Sequence, residues 1–172
     1  WGVQALLQMG RQEEAIAYAE ASRGLNQPDL LIAEACESIL LSSGRQEEAY
    51  QRYATQANHN TTYLATFRAI VKKYPGITQE VILRDLIAST PGPEGKWFAA
   101  AKDAGLFVLA AELVKHSPAD PRTLVRAARD FGDSQPGFAV ACGLAALHWM
   151  AQGYGYELTA NDVLSAYRTT TQ

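Results

Sequence analysis

The residues best able to do chemistry are scattered, and each cluster has a simpler use. Gly92-Pro93-Glu94-Gly95-Lys96 spells half of a phosphate-binding loop. The full motif runs G-x-x-x-x-G-K-[ST] between a strand and a helix. Here Trp97 stands where a hydroxyl would hold Mg²⁺, and no strand pattern precedes it. Asp130-Phe131-Gly132 matches a kinase triplet without the other kinase motifs, and reads as a helix end. His59, His116 and His148 have no second His or Cys three or four residues away, so no helical metal pair is expected. His148, inside an apolar stretch, reads as a hydrogen-bonded core histidine, and His116 as a cation in a last helical turn. Asn60-Thr61-Thr62 has the pattern of a glycosylation sequon, relevant only to a secreted eukaryotic chain. No nucleophile-elbow motif frames a serine. The pairs Glu13-Glu14 and Glu47-Glu48 are explained by helix starts. No constellation requires an enzyme or a cofactor, and none is expected.

Composition bounds what can position these groups. The chain has 172 residues, 48% hydrophobic and 19% charged, enough for one domain or a short repeat array. With 18 acidic against 15 basic residues, its net charge of −3 argues against a generally basic nucleic-acid binder. There are 29 Ala and 18 Leu against 8 Val and 7 Ile, so a large sheet is not expected. Cys36 and Cys142 have no partner spacing and read as buried thiols in a reducing, cytoplasmic setting. No apolar run reaches the roughly 20 residues that cross a bilayer. The longest, 138–151, reads as a helix buried on most sides. Trp1 in place of Met, with helix already from Val3, leads to the expectation of a fragment of a longer protein.

Internal repetition organises the elements. Gly10-Arg11-Gln12-Glu13-Glu14-Ala15 recurs as Gly44-Arg45-Gln46-Glu47-Glu48-Ala49, a period of 34. Leu6-Leu7 and Leu40-Leu41 precede the two copies at the same offset. Each unit reads helix, glycine turn, helix. The Gly permits a left-handed helix end, and the Glu pair suits the dipole of the next helix. Downstream, helices are expected over 63–74, from an N-cap at Thr78 with Val81, Ile82, Leu86 and Ile87 on one face, and over 94–104, 106–116 and 122–131. A further helix is expected over 138–152, capped by Ser134, and a last one from Thr159 or Asn161 through Tyr167. The turns fall near 10, 44, 78, 105 and 132.

This pattern resembles the tetratricopeptide repeat, a 34-residue helix–turn–helix unit with Gly at the turn and Ala early in the second helix. Gly44, Ala49 and Tyr53 carry the likeness, with Ala33 in place of the usual Trp, Cys36-Glu37 in place of Leu-Gly, and Thr61 in place of the closing Pro. Lys102–Gly105 and Tyr154–Glu157 resemble, faintly, C-terminal helical parts of bacterial proteins of unknown activity. The likeness implies an all-α, right-handed superhelical array of antiparallel helix pairs, about 9–11 helices. It would form a single helical-repeat domain over 1–172, more regular in 1–90 than in 91–172.

The same likeness implies a concave groove lined by the first helix of each pair. Setting each pair by its turn puts Glu34 and Ser38 there, then Arg68 and Lys72, then Lys96 beside Gly95 and Ala99, then Arg122, Arg126 and Arg129. The expectation is a non-catalytic scaffold whose basic wall binds a protein or acidic peptide, with neither membrane nor nucleic acid as partner. The alternative is a dimerisation or regulatory arm, with a homodimer as one form, of a larger protein whose catalytic or nucleic-acid-binding domain lies elsewhere. A small-molecule or nucleic-acid sensor using the Arg-rich stretch is a third reading. The opposing view of the basic residues is that nearby acids such as Asp85, Asp103, Asp130 or Asp133 answer them.

Overall fold

The computed structural model describes residues 2–25, 28–155 and 160–171. Trp1, Tyr156, Glu157 and Thr159, all used in the sequence reading, lie outside them. Among the described residues the chain is all-α, with eleven α-helices, one 3-10 turn and no strand, as the Ala and Leu excess predicts. It divides into two compact units, Trp1–Thr78 and Gln79–Gln172.

The first unit holds α1 (Gly2–Gln8), α2 (Gln12–Ala21), α3 (Asp29–Ser42), α4 (Gln46–Ala57) and α5 (Tyr63–Lys73). Both recurrent strings fall at turns with one geometry. Gly10 and Gly44 adopt φ of 72° and 76°, which an L side chain resists. The Gly10 N–H donates to the Leu7 carbonyl and the Arg11 N–H to that of Leu6, closing the helix end. Gly44 and Arg45 do the same to Leu41 and Leu40. The next residues also repeat a role: Arg11 pairs with Glu14, and Arg45 with Glu48. Arg45 additionally reaches Glu13 of the first string, clasping the two turns together. The core beneath is small and apolar, with Ala15, Ala33, Cys36, Leu40 and Ala49 fully buried.

The second unit comprises α6 (Gln79–Ala88), the 3-10 turn Glu94–Trp97, α7 (Phe98–Asp103), α8 (Phe107–His116), α9 (Pro121–Asp130), α10 (Pro136–Ala151) and α11 (Ala160–Thr171). An aromatic cluster of Phe98, Phe107, Phe131 and Phe138 joins α7, α8, α10 and the end of α9, with centroids 4.9 to 6.0 Å apart.

Several local expectations are corrected here. The 94–104 helix begins as a 3-10 turn, because Gly95 packs against the backbone of Ser117 and Pro118. A Cβ on Gly95 would lie 2.3 Å from the Pro118 carbonyl oxygen. α10 starts at Pro136 with Gln135 as its cap residue, so Ser134 does not cap it. Proline favours a first helical position, where its missing N–H costs nothing. On α6, Ile82, Leu83 and Leu86 are buried while Val81 faces solvent.

Candidate functional site

The basic residues sit where helix geometry sends them, on the faces their apolar neighbours leave free. In the first unit, the Thr62 side chain caps α5 by accepting from the Ala65 N–H at 3.1 Å. Phe67 and Ile70 bury one face, and Arg68 and Lys72 share the exposed one. In the second unit, Asp120 caps α9 by accepting from the Arg122 N–H at 3.0 Å, and Pro121 fills the first helical position. Leu124, Ala127 and Ala128 are wholly buried, which leaves Arg122, Arg126 and Arg129 exposed. Lys96 is exposed on the 3-10 turn.

Their electrostatic settings differ. Arg129 is answered by Asp130 at 3.0 Å and also borders a cleft of about 520 Å³ between α9, α10 and α11, where Asp133, Asp162 and Arg168 join it. Arg68, Lys96 and Arg122 each make an interaction within the chain. Lys72 and Arg126 form no ion pair among the described residues. Arg68 and Lys72 belong to one unit and the other four cations to the other.

The half phosphate loop is closed by its own residues. The Glu94 carboxylate accepts from the Gly92 N–H at 2.9 Å, and this bond holds its pKa below the usual carboxylate value. The buried Ser117 hydroxyl accepts from the Gly95 N–H at 2.9 Å and donates to the Gly92 carbonyl at 3.2 Å. Among the described residues no group of three His, Cys, Asp or Glu side chains could hold a metal. Both cysteines are buried and unpaired, and burial pushes the Cys142 thiol up to about 12.

Two features escaped the sequence reading. Glu37, only 1% exposed, accepts from Asn58 and the Tyr74 hydroxyl at 2.7 Å each and from Lys73 at 2.6 Å. Burial, then the bond to Glu37, raises the Tyr74 phenol well above its ordinary pKa. A signal was present: Glu37 lies in the buried stripe of α3 with Ala33, Cys36 and Leu40. A second network joins Tyr53, whose hydroxyl donates to Glu20 at 2.5 Å and accepts from Arg52 at 2.9 Å.

The other missed feature is an open channel of about 400 Å³ between α8 and α10, lined by Ala111, Glu112, Val114, Lys115, Ala141, Leu144, Ala145 and His148. α10 packs against α8, α9 and α11, as expected of a helix buried on most sides, but one face stays open. Phe138, Ala139, Cys142, Gly143 and Ala146 are buried, but Leu144 is 56% exposed, Ala145 and Trp149 are half-buried, and His148 is exposed rather than in the core. α10 is apolar all round, so periodicity alone could not tell its buried face from its open one.

No family model, curated protein or solved structure matches this chain.

Proposed function

We propose that this chain is a non-catalytic protein-interaction module whose exposed cations bind an acidic segment of a partner. The observation that carries the reading is α9. Its inner face is wholly buried, and its outer face presents Arg122 and Arg126 one helical turn apart. Arg126 has no ion pair among the described residues. The Arg126 guanidinium can take a carboxylate of an acidic peptide, and Arg122, which also interacts within the chain, adds positive charge one turn away. Arg68 and Lys72 repeat the same spacing on α5, and Lys96 adds a further cation. The near-identical glycine turns of α1–α2 and α3–α4 support a tetratricopeptide-like arrangement of helix pairs in the first unit. Unpaired buried thiols fit a cytoplasmic setting. No helix among the described residues is long and apolar enough to cross a membrane.

Fluorescence anisotropy of a labelled glutamate-rich peptide tests the reading. Binding is expected to weaken as salt is added, because screening shortens the reach of exposed charges to about 8 Å at physiological ionic strength. It should be lost in the double variant Arg122→Glu, Arg126→Glu. No binding, or binding that ignores both salt and the double variant, contradicts it.

A further inference from the structure

α8 and α10 run parallel. The Phe107 and Phe138 rings meet at 4.9 Å near their starts, and the Trp149 indole N–H donates to the Val114 carbonyl at 2.7 Å near their ends. Between these two contacts, Ala111 and Glu112 of α8 and Leu144 and Ala145 of α10 line one channel. Each helix turns an outward stripe at i, i+3, i+4 and i+7: that of α10 runs from Ala141 to His148 along the channel, and that of α8 runs along it to Lys115, with Val108 continuing the stripe one turn beyond the channel's lining. Val108 is 81% and Leu144 56% exposed. Aliphatic side chains grouped beside an apolar channel mark an interaction surface.

We propose that this face binds a second copy of the chain in an antiparallel, two-fold contact centred between Leu144 and Ala145. Size and charge favour this arrangement. The α10 stripe reads small, large, small, large. Reversed upon itself, it sets Leu144 into the space above the second copy's Ala145, and His148 above the second copy's Ala141. The α8 stripe reverses equally well: Val108 meets the aliphatic stem of the second copy's Lys115, and Ala111 meets Glu112. Both stripe centres lie between the same two contacts, so one axis can serve both stripes. Such a contact is isologous, with the same patch used on both chains.

Charge selects the second copy over a partner of one sign. Glu112 lies 3.8 Å from Lys115 and 3.5 Å from His116 of its own chain. An acidic partner would meet Glu112 as a like charge, and a basic one would meet Lys115. The reversed copy brings its own Lys115 one helical turn from Glu112, so acids and bases alternate around the axis. This surface differs from the outer face of α9, and the proposal does not depend on the acidic-partner reading.

Light scattering after size exclusion tests it directly. The chain is expected to elute at twice its own mass at micromolar concentration. Leu144→Glu should weaken the dimer about a hundredfold, as loss of a central anchor does, while leaving the helical circular-dichroism spectrum unchanged. Arg122→Glu with Arg126→Glu should leave the dimer intact. Mild oxidation should cross-link Ala145→Cys, close to the axis, and spare Ala141→Cys, whose copies lie two turns apart. A monomer at every concentration overturns the proposal. So does a dimer indifferent to Leu144→Glu, or equal cross-linking at both positions.

Discussion

Replacing Glu37 by Ala would strand the Tyr74 hydroxyl and the Asn58 amide in the interior of the first unit, and leave Lys73 without its carboxylate. Each buried donor deprived of its partner costs about 1–3 kcal/mol. Urea unfolding should therefore show Glu37→Ala destabilised by about 2–4 kcal/mol, and Glu37→Gln by less, since an amide oxygen still accepts. An unchanged midpoint for Glu37→Ala would contradict the buried network. Acid acts on neighbouring carboxylates in a stated direction. The hydrogen bond from Arg23 holds Glu20 below its ordinary value of 4.5, and bonds from Arg52 and Arg45 do the same for Glu48. A carboxyl depressed in the folded state contributes stability that is present above its unfolded pKa and lost as pH falls through the folded one. The melting temperature should hold steady on acidification to about pH 5 and then decline below about 4.5. A melting temperature equal at pH 7 and pH 3 would count against these pairs. Glu37 went unread, although its place as a charge within an apolar stripe was legible. Its partners were not, because Asn58, Lys73 and Tyr74 come from helix ends that only tertiary packing brings together.

At the scale of the element, α10 separates two kinds of alanine. Ala146 is fully buried, whereas Ala145 borders the open channel. Ala146→Leu should overpack and destabilise by about 1–3 kcal/mol. In the Leu144→Glu background, where the channel face stays open, Ala145→Leu should change stability by no more than about 0.5 kcal/mol, as changes away from packed positions do. Paired thermal melts check this, and an equal loss for both would contradict the assigned faces. The contrast shows how far a sequence can be read at this level. Glycine turns at 10, 44 and 105 were legible because a left-handed residue after an apolar helix has few alternatives, and all three adopt positive φ, whereas Gly132 does not. The start of α10 was misplaced because Ser134 is a good cap residue while Pro136 is an equally good first helical residue, and the chain uses the proline. The outward face of α10 was not legible, since no polar stripe marks it.

For the molecule as a whole, two compact units imply two cores. The first is built on Ala33, Cys36 and Leu40, the second on Leu83, Phe98, Leu124 and Cys142. The all-helical class followed from composition, because a chain so rich in Ala and Leu has little material for a sheet. The candidate cations were also legible one by one, since i, i+4 spacing beside buried apolar residues sends a charge outward. Asp130, named from sequence among the acids that could answer these cations, pairs with Arg129, while Arg126 has an exposed face and no ion pair among the described residues. The central claim is that this outer face of α9 is a binding surface. A two-dimensional amide NMR map of the chain, titrated with the same glutamate-rich peptide, tests it most directly. Shifts are expected to concentrate on residues 121–130 and to diminish with added salt. Shifts confined to other helices, or none at all, would contradict it.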